Sequence, residues 1–121
     1  MDKEDLLSVV SRRLIHLTTR GRKTGEFHTV ELWFAVSNGN VYLSHEGDET
    51  DWMKNIKKNG AITFEIGGKN FTGEARYAKG HTGEAWTGKV ALYEKYYGMA
   101  SKEVIENWFS LSKLVVIEPR R

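Results

Sequence analysis

The chain has no cysteine and a single proline, Pro119, in 121 residues. Disulfides, thiol nucleophiles and cysteine-based zinc sites are therefore excluded. No apolar run approaches the roughly 20 residues of a membrane helix, so no integral membrane segment is expected. The first residues, Met1-Asp2-Lys3-Glu4-Asp5, are charged, with no apolar core and cleavage site behind them, which reads against a signal peptide. A cytoplasmic location is the expectation. The four histidines, His16, His28, His45 and His81, lack the close spacing of a zinc motif, and no metal site is expected. Charge of one sign is not in large excess either. Eighteen Lys and Arg against sixteen Asp and Glu leave +2, too little to argue for a nucleic-acid partner.

What is present is a segregated charge pattern on a chain long enough for one domain, residues 1–121, and one modest core. Residues 12–23 hold Arg12, Arg13, Arg20, Arg22 and Lys23 with no acid. Residues 46–51 hold Glu46, Asp48, Glu49 and Asp51 with no base. Most such runs are solvated loops. The first differs because glycines flank Arg22 and Lys23. A Gly21-Arg22-Lys23-Thr24-Gly25 turn between two strands can aim backbone N–H groups, a hydroxyl and two cations at one anionic group, most naturally a phosphate.

The spacing of apolar residues predicts a helix over 3–13 and a strand over 14–19. A second strand over 27–37 is rich in β-branched and aromatic residues. Asn38-Gly39 is a two-residue hairpin signal leading into a strand at 41–45. A short helix is expected over 51–59, capped by Thr50 or Asp51 and stopped at Asn59-Gly60. Strands at 61–66 and 70–78 surround the Gly67-Gly68-Lys69 turn. Helices at 82–97 and 101–109 precede a strand at 114–117. Trp86, Val90, Tyr93 and Tyr97 form one stripe of the long helix, and Tyr96 lies off it, freer to face a pocket or a partner. The sum is a mainly β (α+β) chain: a six-stranded antiparallel barrel, Greek-key-like, with short flanking helices.

Two segments in order, Thr18-Thr19-Arg20-Gly21-Arg22-Lys23-Thr24-Gly25 and Asp51-Trp52-Met53-Lys54-Asn55-Ile56-Lys57-Lys58-Asn59, resemble the deazaflavin-dependent nitroreductase family. Its members are flavin/deazaflavin oxidoreductases with the split β-barrel fold, related to pyridoxamine phosphate oxidase. The resemblance runs from about residue 14 to the closing Val-Val-Ile-Glu-Pro-Arg. It implies that Arg22, Lys23, Thr24 and Gly25 bind the phosphate region of coenzyme F-420. His28 stands where the family often has arginine; it is charged only part of the time near neutral pH and leaves FMN as the alternative coenzyme. Ser44, His45, Trp52 and Asn55 fall in the ring-binding groove by the same resemblance. Tyr93, Tyr96 and Tyr97 fall where tyrosines face the substrate in some members.

The implied reaction is hydride transfer from reduced coenzyme to a flat electron-poor small molecule, a quinone or nitroaromatic, with a tyrosine hydroxyl as hydrogen-bond or proton donor. A flavin reductase-like protein on FMN, or a binding module without turnover, are the competing readings. Each position also has a plainer role: Trp52, Trp86 and Tyr93 as core, His16, His28 and His45 as strand-surface residues, Lys57-Lys58 as a solvated helix face. Split barrels of this kind commonly pair, so a homodimer is expected.

Overall fold

The structure is a computed structural model that describes residues 3–78, 83–108 and 112–120. Its elements are α1 (Lys3–Leu7), β1 (Ile15–Arg20), β2 (Phe27–Leu32), β3 (Ala35–Ser37), β4 (Asn40–Glu46), α2 (Asp51–Lys58), β5 (Ala61–Ile66), β6 (Lys69–Tyr77), α3 (Gly83–Tyr97), α4 (Lys102–Trp108) and β7 (Ser112–Pro119). The expected helix at 3–13 closes after Leu7 into turns. Residues 79–82 and 109–111, where two helix ends were expected, lie outside the described residues.

Seven strands form one sheet in the order β2-β1-β5-β6-β7-β4-β3, every neighbouring pair antiparallel. The count is seven rather than six because the expected 27–37 strand breaks at Trp33-Phe34. There the Phe34 N–H donates to the Tyr96 hydroxyl at 2.9 Å instead of to a neighbouring strand. That break shapes the molecule. β2 and β3 lie at opposite edges of the sheet, yet only Trp33 and Phe34 join them. A two-residue link cannot cross a flat seven-stranded sheet, so the sheet curls until its edges approach: a split β-barrel. β7 returns after the helices to pair with both β4 and β6.

The barrel interior is filled by Ile15, Leu17, Val41, Leu43, Phe64, Phe71, Val115 and Ile117, and plugged by Leu6, Trp52, Met53 and Ile56 from the two short helices. The opposite faces of β4 and β7 carry Tyr42, Leu114 and Val116, which α3 and α4 cover. With both faces buried, the centre of β7, Leu114 to Ile117, reads as an unbroken apolar run. The buried face of α3 is Ala85, Gly88 and Leu92, not the aromatic stripe. A side chain at Gly88 would collide with the Tyr42 ring and Leu114, so glycine sets how closely α3 approaches the sheet.

Candidate functional site

The turn after β1 is built by its own backbone. The Gly21 N–H donates to the Glu26 carbonyl at 2.7 Å, and the Gly25 N–H to the Gly21 carbonyl at 2.9 Å. Gly25 has φ +78°, a conformation most other residues enter with strain. The Thr24 hydroxyl accepts the Glu26 N–H at 3.2 Å, which leaves its own proton to donate. The amides of Lys23 and Thr24 have no acceptor among the described residues. Lys23 is exposed and has no ion-pair partner among those residues.

Helix α2 holds the turn in place. The buried Asn55 amide oxygen accepts the Arg22 N–H at 3.1 Å and the Arg22 guanidinium at 2.8 Å. Asn55 Nδ2 donates to the buried Thr19 hydroxyl at 3.2 Å. Asp51 pairs with the same guanidinium at 3.2 Å. Trp52 is 6% exposed, belongs to the core and also lines a cavity beside the turn.

Between the turn, β2 and α2 lies an open cavity of about 490 Å³. Arg22, Lys23, Thr24, His28, Trp52 and Asn55, six of the nine expected coenzyme-binding positions, line it together with Thr19 and Asp51. Gly25 shapes the turn without lining the cavity. Ser44 and His45 are elsewhere. They line a second cavity of about 400 Å³ with Leu14, Glu31, Leu32, Trp33, Glu46 and Trp108. Strand β2 runs between the two: residues 28–30 wall the first, and 31 and 32 with Trp33 wall the second. A six-residue strand spans ~20 Å.

The three tyrosines stand behind the second cavity's tryptophans. Tyr96 stacks on Trp33 with centroids 4.3 Å apart and planes 7° from parallel. Tyr93 and Tyr97 meet Trp108 edge-on at 5.4 and 5.1 Å, and Tyr97 approaches Trp33 at 6.1 Å. The Tyr96 hydroxyl accepts the Phe34 N–H and donates its proton to the carbonyl of Arg13 at 2.7 Å or of Phe34 at 2.9 Å. Burial pushes its pKa up. Tyr97 is 53% exposed. Lys95 Nζ lies 3.5 Å from the Phe34 ring centroid, buried and without a hydrogen-bond partner among the described residues. Burial, and then the nearby Arg13, lower its pKa to about 8.

The acidic segment between β4 and α2 is not a free loop. Glu49 accepts the Tyr77 hydroxyl and pairs with Lys57 at 2.7 Å, and Lys113 donates to the Gly47 carbonyl at 2.7 Å. These contacts, Lys57 first, hold the Glu49 carboxyl below its ordinary range. Trp33, Trp108, Glu31, Glu46 and Asp51 all escaped sequence reasoning as site residues. Only the strand break beside Trp33 would have marked one of them, and that break depends on Tyr96, 62 residues away.

The donors of the first cavity suit an anion: two cations, two free amides and a hydroxyl, with Asp51 the one opposing charge. No group of three or more His, Asp or Glu side chains poised to hold a metal occurs among the described residues. A curled antiparallel split barrel with a cation-bearing glycine turn at one end of an edge strand and an aromatic cavity at the other is the class these features define. Residues 7–105 match the F420H(2)-dependent quinone reductase family, and the chain belongs to it. It is thus an oxidoreductase that works with the deazaflavin coenzyme F-420.

Solved structures show the same fold. A conserved hypothetical protein from Mycobacterium tuberculosis, 23% identical, superposes with a TM-score of 0.79 over 100% of this chain and 82% of that one. A structure described as an F420-H2 dependent reductase is 22% identical, with a TM-score of 0.69 over 88% and 95%. One described as a putative pyridoxamine 5'-phosphate oxidase from Listeria innocua is 13% identical, with a TM-score of 0.68 over 98% and 94%. No curated protein matches the chain. No helix among the described residues is long and apolar enough to cross a membrane.

Proposed function

We propose that this chain, as one coenzyme-binding domain of a cytoplasmic homodimer, passes a hydride from reduced F-420 to a flat electron-poor small molecule such as a quinone or nitroaromatic. The observation that carries the reading is that consecutive residues along β2 and into Trp33 wall two cavities, residues 28–30 the cationic one and 31–33 the aromatic one. When bound, the reduced deazaflavin supplies the hydride.

The chain's own residues bind and orient. The Lys23 ammonium, the amides of Lys23 and Thr24, and the Thr24 hydroxyl hold a phosphate by charge-assisted hydrogen bonds. Arg22 adds charge while Asn55 and Asp51 fix its position. Gly25 permits the turn, and His28 adds an imidazole to the wall. Trp52 closes the cavity floor. Ser44 and His45 offer hydroxyl and imidazole groups at the second cavity, where Trp33 and Trp108 sandwich or back a planar acceptor and exclude water from one side. Tyr96 keeps Trp33 in place. Tyr93 and Tyr97 complete the aromatic wall, and the exposed Tyr97 is the candidate donor to a reduced acceptor.

The test is anaerobic oxidation of reduced F-420 by menadione, followed by the return of oxidised coenzyme absorbance. Turnover with F-420 and none with reduced FMN is the expected result. Turnover with FMN alone moves the chain to the flavin-reductase reading, and tight binding without any turnover makes it a carrier. The homodimer is checked by light scattering at micromolar protein, where a monomer with and without coenzyme refutes it.

A further inference from the structure

The second cavity carries two carboxylates and an imidazole, Glu31, Glu46 and His45, where the first carries two cations, Asp51 and His28. Its walls include Trp33 and Trp108, and the acids Glu31 and Glu46, while no lysine or arginine lines it among the described residues. Trp33 spends one face on Tyr96 and is still 45% exposed, so its remaining surface opens to the cavity. Arg13 lies over the Tyr96 ring at 4.9 Å. Lys95 lies 5.4 Å from the same centroid, and neither cation lines the cavity.

We infer that this cavity selects flat aromatic cations, fused heteroaromatic rings bearing a quaternary nitrogen, over neutral or anionic rings of the same size. An indole face is the best aromatic partner for a cation, and two carboxylates beside it add a charge that a neutral ring cannot use. Glu31 also accepts from His16 at 3.0 Å, which positions it without removing it from the cavity. The segregation is mutual. An anionic coenzyme is drawn to the turn and repelled by Glu31 and Glu46, and a cation is repelled by Arg22 and Lys23, so each ligand is steered to its own end of β2.

Resting on the oxidoreductase reading, the same feature makes such cations the favoured acceptors. Hydride transfer to one forms a single new N–H or C–H bond and leaves the acceptor neutral. The two electrons come from reduced F-420, whose remaining proton passes to water.

The experiment is a titration of the full chain, without coenzyme, with N-methylphenazinium, phenazine and phenazine-1-carboxylate, read by tryptophan quenching at low salt. The cation is expected to bind at least about tenfold tighter than the carboxylate, with phenazine between them and the spread shrinking as salt rises. Glu31→Gln with Glu46→Gln should collapse that spread, the melting temperature reporting that the fold is kept. If that pair does not fold, Glu46→Gln alone should still narrow it. Equal affinity for all three probes, or an unchanged cation affinity in a folded variant, overturns the inference. The preference for the cation in a chain that binds no F-420 supports the inference and refutes the hydride reading alone. Tight F-420 binding without that preference refutes this inference alone.

Discussion

Asp51 and Lys23 make opposite contributions to one cavity, and single substitutions separate them. Asp51 occupies the Arg22 guanidinium from an exposed position, a kind of pair worth about 0–1 kcal/mol to the fold. Asp51→Asn should leave stability nearly unchanged and tighten F-420 binding a few-fold, since it frees Arg22 and removes the opposing charge. Isothermal titration decides it, and weaker binding would mean that Asp51 orients Arg22 for the ligand. Lys23→Ala should weaken binding by about 1.5–3 kcal/mol, the usual worth of a hydrogen bond to a charged group. The fold has no use for that side chain.

Lys95 tests the cost of an unpaired buried amine. Lys95→Met keeps the stem's packing and removes the charge. Because the lysine's folded pKa is depressed to about 8 from 10.5, its penalty is full below about 8 and gone above 10.5. The variant should therefore melt higher than the parent at pH 7, with the gain fading as pH rises toward 10.5. A gain independent of pH would assign the effect to packing alone.

Among the elements, the three strands β2, β1 and β5 share a polar clasp. His16 sits opposite Glu31 in one register and Glu65 in the other, and its ring nitrogens reach those carboxylates at 3.0 and 2.8 Å. The hydrogen bonds, Glu65 first, raise the His16 pKa above 6.5. Glu65 is lowered below 4.5 by the Gly68 N–H and then by His16. A raised histidine stabilises fully below 6.5 and stops as pH climbs through its folded value. A lowered glutamate stabilises fully above 4.5 and stops as pH drops through its folded value. The clasp therefore acts fully between about pH 4.5 and 6.5. His16→Gln should lower the melting temperature more at pH 5.5 than at pH 8.5, and an equal loss at both would refute the charged clasp.

The break between β2 and β3 carries a second element-scale prediction. Tyr96→Phe keeps the stack on Trp33 but leaves the Phe34 N–H without its acceptor, at a cost of ~1–3 kcal/mol measured by urea unfolding. An unchanged midpoint would show that the hydroxyl plays no part in holding the seam.

These elements also show what a sequence can and cannot disclose. The Gly21–Gly25 turn and the Asn38-Gly39 hairpin were legible because their left-handed backbones, φ +78° at Gly25, +53° at Asn38 and +79° at Gly39, restrict the residues allowed there. The α2 face of Trp52, Met53 and Ile56 was legible from spacing. The buried face of α3 was not, because Ala85 and Gly88 carry almost no hydrophobic signal, whereas the aromatics beside them do. The seventh strand was hidden because Trp33 and Phe34 have strong strand propensity, and only a distant hydroxyl interrupts them.

For the whole molecule, curling of the sheet turns a sequence-local charge pattern into a spatial one. The cationic turn and the aromatic cavity sit at the two ends of the same edge strand, while the acidic segment, fastened by Tyr77 and Lys57, runs from the second cavity's strand to the first cavity's helix. In the first cavity, the glycine turn was legible from its residues, and Trp52 and Asn55 were named through the family resemblance, which two compact segments carry. The second cavity draws on residues from Leu14 to Trp108 and exists only once the barrel forms.

The central claim is that the Gly21–Gly25 turn grips the phosphate of F-420. The most direct measurement is a fluorescence titration of the parent chain and Lys23→Ala with F-420 and, separately, FMN. The account predicts that the parent prefers F-420 and that the variant loses about tenfold or more of that affinity with its fold intact. Identical dissociation constants for parent and variant would contradict it.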